Sequence, residues 1–232
     1  MLKPYQQIPI AECHEPLVAI TDEFFKIQPH AYVCLGAPYG DRDPFWLRQG
    51  VLERLRRSQA YLSKIQPDYR IAIFDAYRPI AVQQFMVDHS LAELAASRGL
   101  PMDSLTNDQK TALMTEVAKF WAIPSNNPQT PPPHSTGAAI DVTLYRVSSM
   151  EPVNMGSPID EISNRSLPDY FANAQSEPEQ SYHRDRQLLN QVMTHSGFER
   201  HPHEWWHFSY GDQMWAWLSE RSPALYGGTS QI

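Results

Sequence analysis

Cysteine is nearly missing: Cys13 and Cys34 are the only two in 232 residues, too few for a disulfide framework in a chain of this size. They also lack the close spacing of a cysteine zinc site, so any bound metal has to draw on histidine and carboxylate. No apolar run approaches the roughly 20 residues that span a bilayer. Residues 1–10 carry neither a long apolar core nor a small-residue cleavage site, so no secretory signal is visible. An excess of positive charge is missing too. The formal net charge of -7 gives no electrostatic reason to expect nucleic acid or an anionic membrane as partner. The one basic cluster, Arg54, Arg56 and Arg57, lies in an amphipathic pattern and reads as a solvated helix face. Internal repeats and low-complexity linkers are also lacking. The expectation is a cytoplasmic protein, one domain over residues 1–232, whose oligomeric state the sequence leaves open.

What is present is a globular composition, 42% apolar and 11% aromatic, in a chain long enough to bury one sizeable core. Twenty prolines fall between periodic stretches rather than inside them, which is how element boundaries are usually marked. Helical spacing predicts helices over Phe45–Ile65, Ile80–Ala96, Asn107–Ala122 and Arg184–Ser196. Gly99 and Gly197 act as stops for the second and the last of these. Tyr69–Phe74 reads as a buried strand running into Asp75-Ala76-Tyr77-Arg78-Pro79. Ala138–Leu144 alternates like a half-buried strand, with Asp141 on the face away from the bulk of the core. Val147–Gln180 reads as a long irregular segment, and His203–Tyr210 as strand-like. Helices and strands that do not alternate strictly predict an α+β fold, an antiparallel sheet core with flanking helices.

Two stretches carry the chemistry. In Pro131-Pro132-Pro133-His134-Ser135-Thr136-Gly137-Ala138-Ala139-Ile140-Asp141 a rigid loop presents an imidazole and the strand it enters presents a carboxylate. In His203-Glu204-Trp205-Trp206-His207 a carboxylate and an imidazole are wrapped in indoles. A His, Asp, His set plus a spare Glu leaves the fourth position of a zinc site for water, which is the layout of a catalytic rather than a structural centre. On a regular strand His203 and His207 would lie about 13 Å apart at roughly 3.3 Å per residue, so they are poor joint ligands. Glu204 and His207 would face opposite ways on such a strand, which requires an irregular entry near Glu204. Trp205 and Trp206 can equally be plain core residues. Arg78 can be a structural ion pair, or a guanidinium that stabilises the charge developing on a carbonyl oxygen.

Together these stretches resemble the zinc D-alanyl-D-alanine dipeptidases. The resemblance rests on four segments in the same order: Asp75–Pro79, His134–Asp141 with Val142-Thr143-Leu144, Met155-Gly156-Ser157-Pro158 with Asp160, and Ser196-Gly197-Phe198 running on to Glu204–His207. It implies one zinc ion per chain held by His134, Asp141 and His207, with Glu204 as general base and Arg78 as transition-state stabiliser. Asp160 then holds the ammonium group of a small D,D-dipeptide, which is split into two D-alanines in a small closed site. It further implies the α+β fold that the family shares with zinc D,D-carboxypeptidases and the Hedgehog signalling domain. Pro132 and Thr136 depart from the family pattern, standing where many relatives have Ser and Arg, and the N-terminal third, including Tyr32–Gly40, does not clearly match the vancomycin-type enzymes. The alternatives are a peptidoglycan D,D-carboxypeptidase or endopeptidase of the same fold and a non-enzymatic zinc-fold binding module.

Overall fold

Short strands bounded by proline and glycine assemble into one mixed sheet with helices packed on it. The computed structural model describes residues 3–118, 121, 124–161 and 163–229. In chain order the elements are β1 (Leu17–Ala19), β2 (Phe25–Lys26), α1 (Ala31–Cys34), β3 (Trp46–Arg48), α2 (Gln49–Ile65), β4 (Tyr69–Asp75), α3 (Ile80–Ser97), α4 (Asn107–Val117), β5 (Ala139–Arg146), β6 (Glu151–Pro152), α5 (Glu177–His195), β7 (Glu199–Arg200), β8 (His207–Ser209) and α6 (Gln213–Leu218). The main sheet runs β2-β4-β5-β8-β7, with β6 paired to β5 beside that path, and β1 and β3 form a separate ribbon. Among the described residues, all pairings between these strands are antiparallel except β2 with β4. The α+β architecture is therefore the expected one, with a single parallel edge.

One face of the sheet carries the main core. Ile140, Val142 and Leu144 of β5 and Phe208 of β8 meet Val51, Leu55 and Leu62 of α2 and Leu189, Val192 and Met193 of α5, each 0% exposed. The helix pair α3–α4 builds a smaller cluster of Val87, Leu91, Ala95, Leu113 and Val117. A capping box starts α4: Thr106 Oγ1 accepts from the Gln109 backbone N–H at 3.2 Å, and Gln109 Oε1 accepts from the Thr106 N–H at 2.9 Å.

Several boundaries differ from expectation for identifiable reasons. The helix expected from Phe45 begins at Gln49, because Trp46–Arg48 pairs with β1 instead. The last long helix begins at Glu177, ahead of Arg184. Pro178 and the acidic Glu177 and Glu179 suit its first turn, where no N–H needs a partner and the dipole favours negative charge. β5 is buried on both faces rather than one, since helices cover one side and the site's walls cover the other. Arg56 and Arg57 are exposed and Arg54 is half-buried, its guanidinium donating to Ser196 O at 2.9 Å and to Tyr210 Oη at 2.6 Å. The expected end of α4 at Ala122 lies outside the described residues. Both cysteines are free and exposed. Among the described residues, no helix is long and apolar enough to cross a membrane.

Candidate metal and peptide-hydrolysis site

Sheet register brings the chemistry together. Asp75 of β4 pairs with Asp141 of β5, and Asp141 pairs with His207 of β8, so three loaded residues stand side by side across three strands. Directly opposed residues share a face at about 4.5–5.5 Å between Cβ atoms. A register irregularity between Ile73 and Asp75 lets Asp75 reach this level. On β8, Phe208 turns to the core and His207 to the opposite face, as strand alternation requires.

His134 reaches the same point from a 3-10 turn, Pro133–Thr136. Gly137 ends that turn at φ 70°, and a Cβ there would stand 2.2 Å from Leu17 Cδ2, so only glycine fits. Arg48 locks the turn from behind, its backbone N–H donating to Gly137 O at 2.8 Å and its Nε to Thr136 O at 2.9 Å. The buried His134 donates from Nδ1 to Ala76 O at 2.7 Å, which fixes the tautomer and turns the Nε2 lone pair inward.

His134, Asp141 and His207 are all buried, and each offers a donor atom within 4.8 Å of the others. His134 Nε2 lies 3.2 Å from Asp141 Oδ2, and His207 Nδ1 lies 3.0 Å from Asp141 Oδ1 and 3.2 Å from His134 Nε2. Two imidazole nitrogens and one carboxylate fit a four-coordinate cation with one open position. Behind His207, its Nε2 lies 3.5 Å from Ser209 Oγ, which donates to Asp212 Oδ2 at 2.9 Å. Burial would raise the Asp141 pKa, but His134 and His207 outweigh it and hold the carboxyl well below its usual range.

Glu204 sits outside this triad, with Oε2 3.8 Å from His207 Nδ1 and a half-buried side chain, 31% exposed. Its backbone N–H bonds back to His201 O at 3.4 Å, and only His207–Ser209 is strand. The segment before His207 is a turn, the irregular entry that lets Glu204 and His207 face one centre. Burial raises the Glu204 pKa, partly offset by His207.

Arg78 follows β4 and is held on several sides. Nε and Nη2 meet Asp75 Oδ2 at 2.8 and 2.7 Å, Nη1 donates to Gln83 Oε1 at 3.0 Å, and Nη2 reaches Asp141 Oδ2 at 3.4 Å. The ion-pair reading thus holds, and the same guanidinium stands beside Asp141. Burial would lower its pKa, but Tyr32, Asp75 and Asp141 raise it well above normal and keep the guanidinium charged. Nη2 also donates to Tyr32 Oη at 3.3 Å, and the Tyr32 hydroxyl donates in turn to Asp160. Burial, followed by Asp141, pushes the Asp160 carboxyl up to about 7, against Arg78 and Tyr32.

Arg78, His134, Asp141, Asp160, Glu204 and His207 all line one cavity of about 790 Å³. Trp205 and Trp206 both pack in the main core, and Trp206 also lines the cavity.

Residues 26–224 match the family model described as D-ala-D-ala dipeptidase. A D-alanyl-D-alanine dipeptidase of Synechocystis sp. is 51% identical over 239 residues, covering 97% of this chain and 96% of the relative. One from Enterococcus faecium is 34% identical over 146 residues, covering 62% of this chain and 64% of the relative. The chain belongs to the D-Ala-D-Ala dipeptidase family and is a peptidase of that family. Among solved structures, the LdcB LD-carboxypeptidase is similar at a TM-score of 0.48 and 15% identity, over 91% of this chain and 76% of its own. VanYB in complex with D-Alanine-D-Alanine is similar at 0.44 and 14%, over 76% and 80%.

All six residues singled out in the sequence thus meet at one cavity. Three others went unnoticed. Tyr32 lies in a stretch that does not clearly match the vancomycin-type enzymes, although the family model spans it, and its buried hydroxyl bridges Arg78 and Asp160. Asp75 was visible only as part of a motif, yet it orients the guanidinium. Arg186 looked like one more polar residue of α5 and is 0% exposed.

Proposed function

We propose that this chain hydrolyses D-alanyl-D-alanine to two D-alanines with one zinc ion held by His134, Asp141 and His207. The observation that carries the reading is the convergence of those three donors within 4.8 Å, with the Glu204 carboxylate beside them and outside the set. Zinc held by these three residues would supply a lowered pKa for its water and polarisation of the peptide carbonyl. Glu204 takes the proton that the water loses as it attacks, and returns it to the departing amide nitrogen, so the C–N bond breaks to a free amine and a carboxylate. A raised pKa suits a group that has to accept and then release a proton. Arg78, clamped by Asp75, presents a fixed positive charge to the developing oxyanion at no cost of reorganisation. Asp160 faces the substrate's ammonium group and selects for a free N-terminus.

The test is a panel of D,D, L,D and L,L dipeptides and a D-Ala-D-Ala-ended pentapeptide, given to stripped protein with and without added zinc. The expected result is zinc-dependent cleavage of D-Ala-D-Ala, with the pentapeptide left intact. Cleavage of the pentapeptide alone would replace the reading with a D,D-carboxypeptidase. Stoichiometric zinc binding with no cleavage of any dipeptide would make the chain a binding module.

A further inference from the structure

Arg186 is a charged side chain with no exposure at all, and neither the metal site nor the peptide chemistry uses it. Its Nε donates to Met155 O at 2.8 Å, Nη1 to Leu167 O at 2.9 Å, and Nη2 to Ser157 Oγ at 3.1 Å. All three of these acceptors are neutral oxygens, so the guanidinium is desolvated without a carboxylate bonded to it. Burial pulls its pKa down to about 10, leaving it charged at neutral pH. A buried cation of this kind is costly unless its full set of donors is used. A guanidinium supplies several of them in one rigid plane, which an ammonium cannot do. The rings of Phe171 and Trp205 sandwich it, with centroids 4.9 and 5.2 Å from Cζ.

The acceptors have a common feature. Met155 and Leu167 are the two feet of the segment that carries Asp160, and Arg186 ties both to α5. Ser157 extends the tie to the other wall of the site. Its Oγ accepts from the Trp205 indole N–H at 2.9 Å as well as from Arg186, and donates to Arg165 O at 3.3 Å, which uses the whole capacity of one hydroxyl. Trp205 adds a backbone bond from its N–H to Ser166 O at 3.1 Å, and Trp205 adjoins Glu204. Gly156, at φ 82°, lets the chain pass under Phe171, where a Cβ would stand 2.4 Å from Cε2. The Met155-Gly156-Ser157-Pro158 motif thereby acquires a physical purpose.

We propose that Arg186 is a positioning residue: through Met155, Ser157 and Leu167 it clamps the segment bearing Asp160 against Trp205, and so sets the distance between the ammonium-binding carboxylate and the Glu204–metal corner. The proposal rests on the reading of Asp160 as the ammonium partner given above. It predicts that loosening the clamp weakens substrate binding without weakening the metal site.

The experiment uses the full zinc-loaded chain and the variants Arg186→Lys, Ser157→Ala and Asp160→Asn. It measures KM and kcat for D-Ala-D-Ala, zinc affinity by chelator competition, and amide hydrogen exchange by segment. Arg186→Lys is expected to raise KM about tenfold, with kcat within about threefold and zinc affinity unchanged, because one ammonium cannot span three acceptors set for a planar fork. Ser157→Ala is expected to raise KM by a smaller factor. In both, exchange should quicken in 155–167 and stay slow in β5 and β8. Should Arg186→Lys misfold, Ser157→Ala decides the matter by itself. Unchanged KM and unchanged exchange of 155–167 in folded variants would overturn the clamp. If Asp160→Asn leaves KM unaltered, the reading of Asp160 fails instead, and segmental exchange still tests the clamp.

Discussion

The two walls of the cavity are held in place by different means. The metal corner is built on paired backbone: Asp141 and His207 are cross-strand neighbours, and His134 is tied by its own ring to Ala76 O. Asp141 and His207 are fixed by a ladder that also carries the core, so they cannot shift without breaking sheet hydrogen bonds. The opposite wall, the segment with Asp160, contains no long element. Side chains that reach across the fold hold it there: Arg186 beneath, Tyr32 above, Trp205 at the flank. The difference teaches that a donor cluster demanding tight geometry sits on rigid elements, while the wall bearing Asp160 is a loop pinned at a few points.

Breaking the metal corner should have the largest effect. His134→Ala is expected to abolish stoichiometric zinc binding and reduce turnover to background, measured by metal analysis and product assay; a variant that keeps both would remove His134 from the ligand set. Next comes Glu204→Gln, expected to lower kcat about 10²–10⁴-fold while zinc stays bound, since the carboxylate lies outside the triad. Arg78→Ala follows, with kcat down about 10²–10³-fold. It should also destabilise the fold by about 3–5 kcal/mol, because the wholly buried Asp75 loses its charged partner; chemical denaturation alongside kinetics separates the two effects.

The other wall should respond more gently and through pH. With its carboxyl pushed up to about 7, Asp160 is neutral below that value and anionic above it. KM for the dipeptide should therefore rise as pH falls through 7 and level off on the alkaline side, and Asp160→Asn should flatten this profile. A KM profile unchanged by that substitution would mean that the ammonium is recognised elsewhere. A modest effect on the metal corner belongs to Ser209→Ala behind His207. Loss of its contact with the ring should weaken zinc affinity about tenfold, as outer partners of metal-bound histidines generally do, read by competition with a chelator.

Much of the metal corner was legible because its residues are chemically conspicuous. Histidine in a proline-rich turn, a carboxylate at a polar position of an otherwise apolar strand, and the Glu204–His207 spacing stand out against their surroundings. The need for an irregular entry at Glu204 followed from strand alternation alone, and the turn at His201–Glu204 meets it. Boundaries were harder to read. Leu47 fits a helical or a strand period equally well, and only pairing with β1 decides between them. The start of α5 at Glu177 was hidden by Ser, Pro and Asn upstream, although Pro178 is a good first-turn residue.

The pinned wall was almost illegible for a different reason. Tyr32 and Arg186 are unremarkable types in sequence, 128 residues from Asp160 in the first case, and their importance comes wholly from what they touch. Local sequence determined which residues could hold a cation and which could move a proton, since that capacity belongs to the side chain itself. Register, burial and the reach of Arg186 and Tyr32 were decided only by the tertiary structure, because a distance between remote side chains exists only once the core between them has packed.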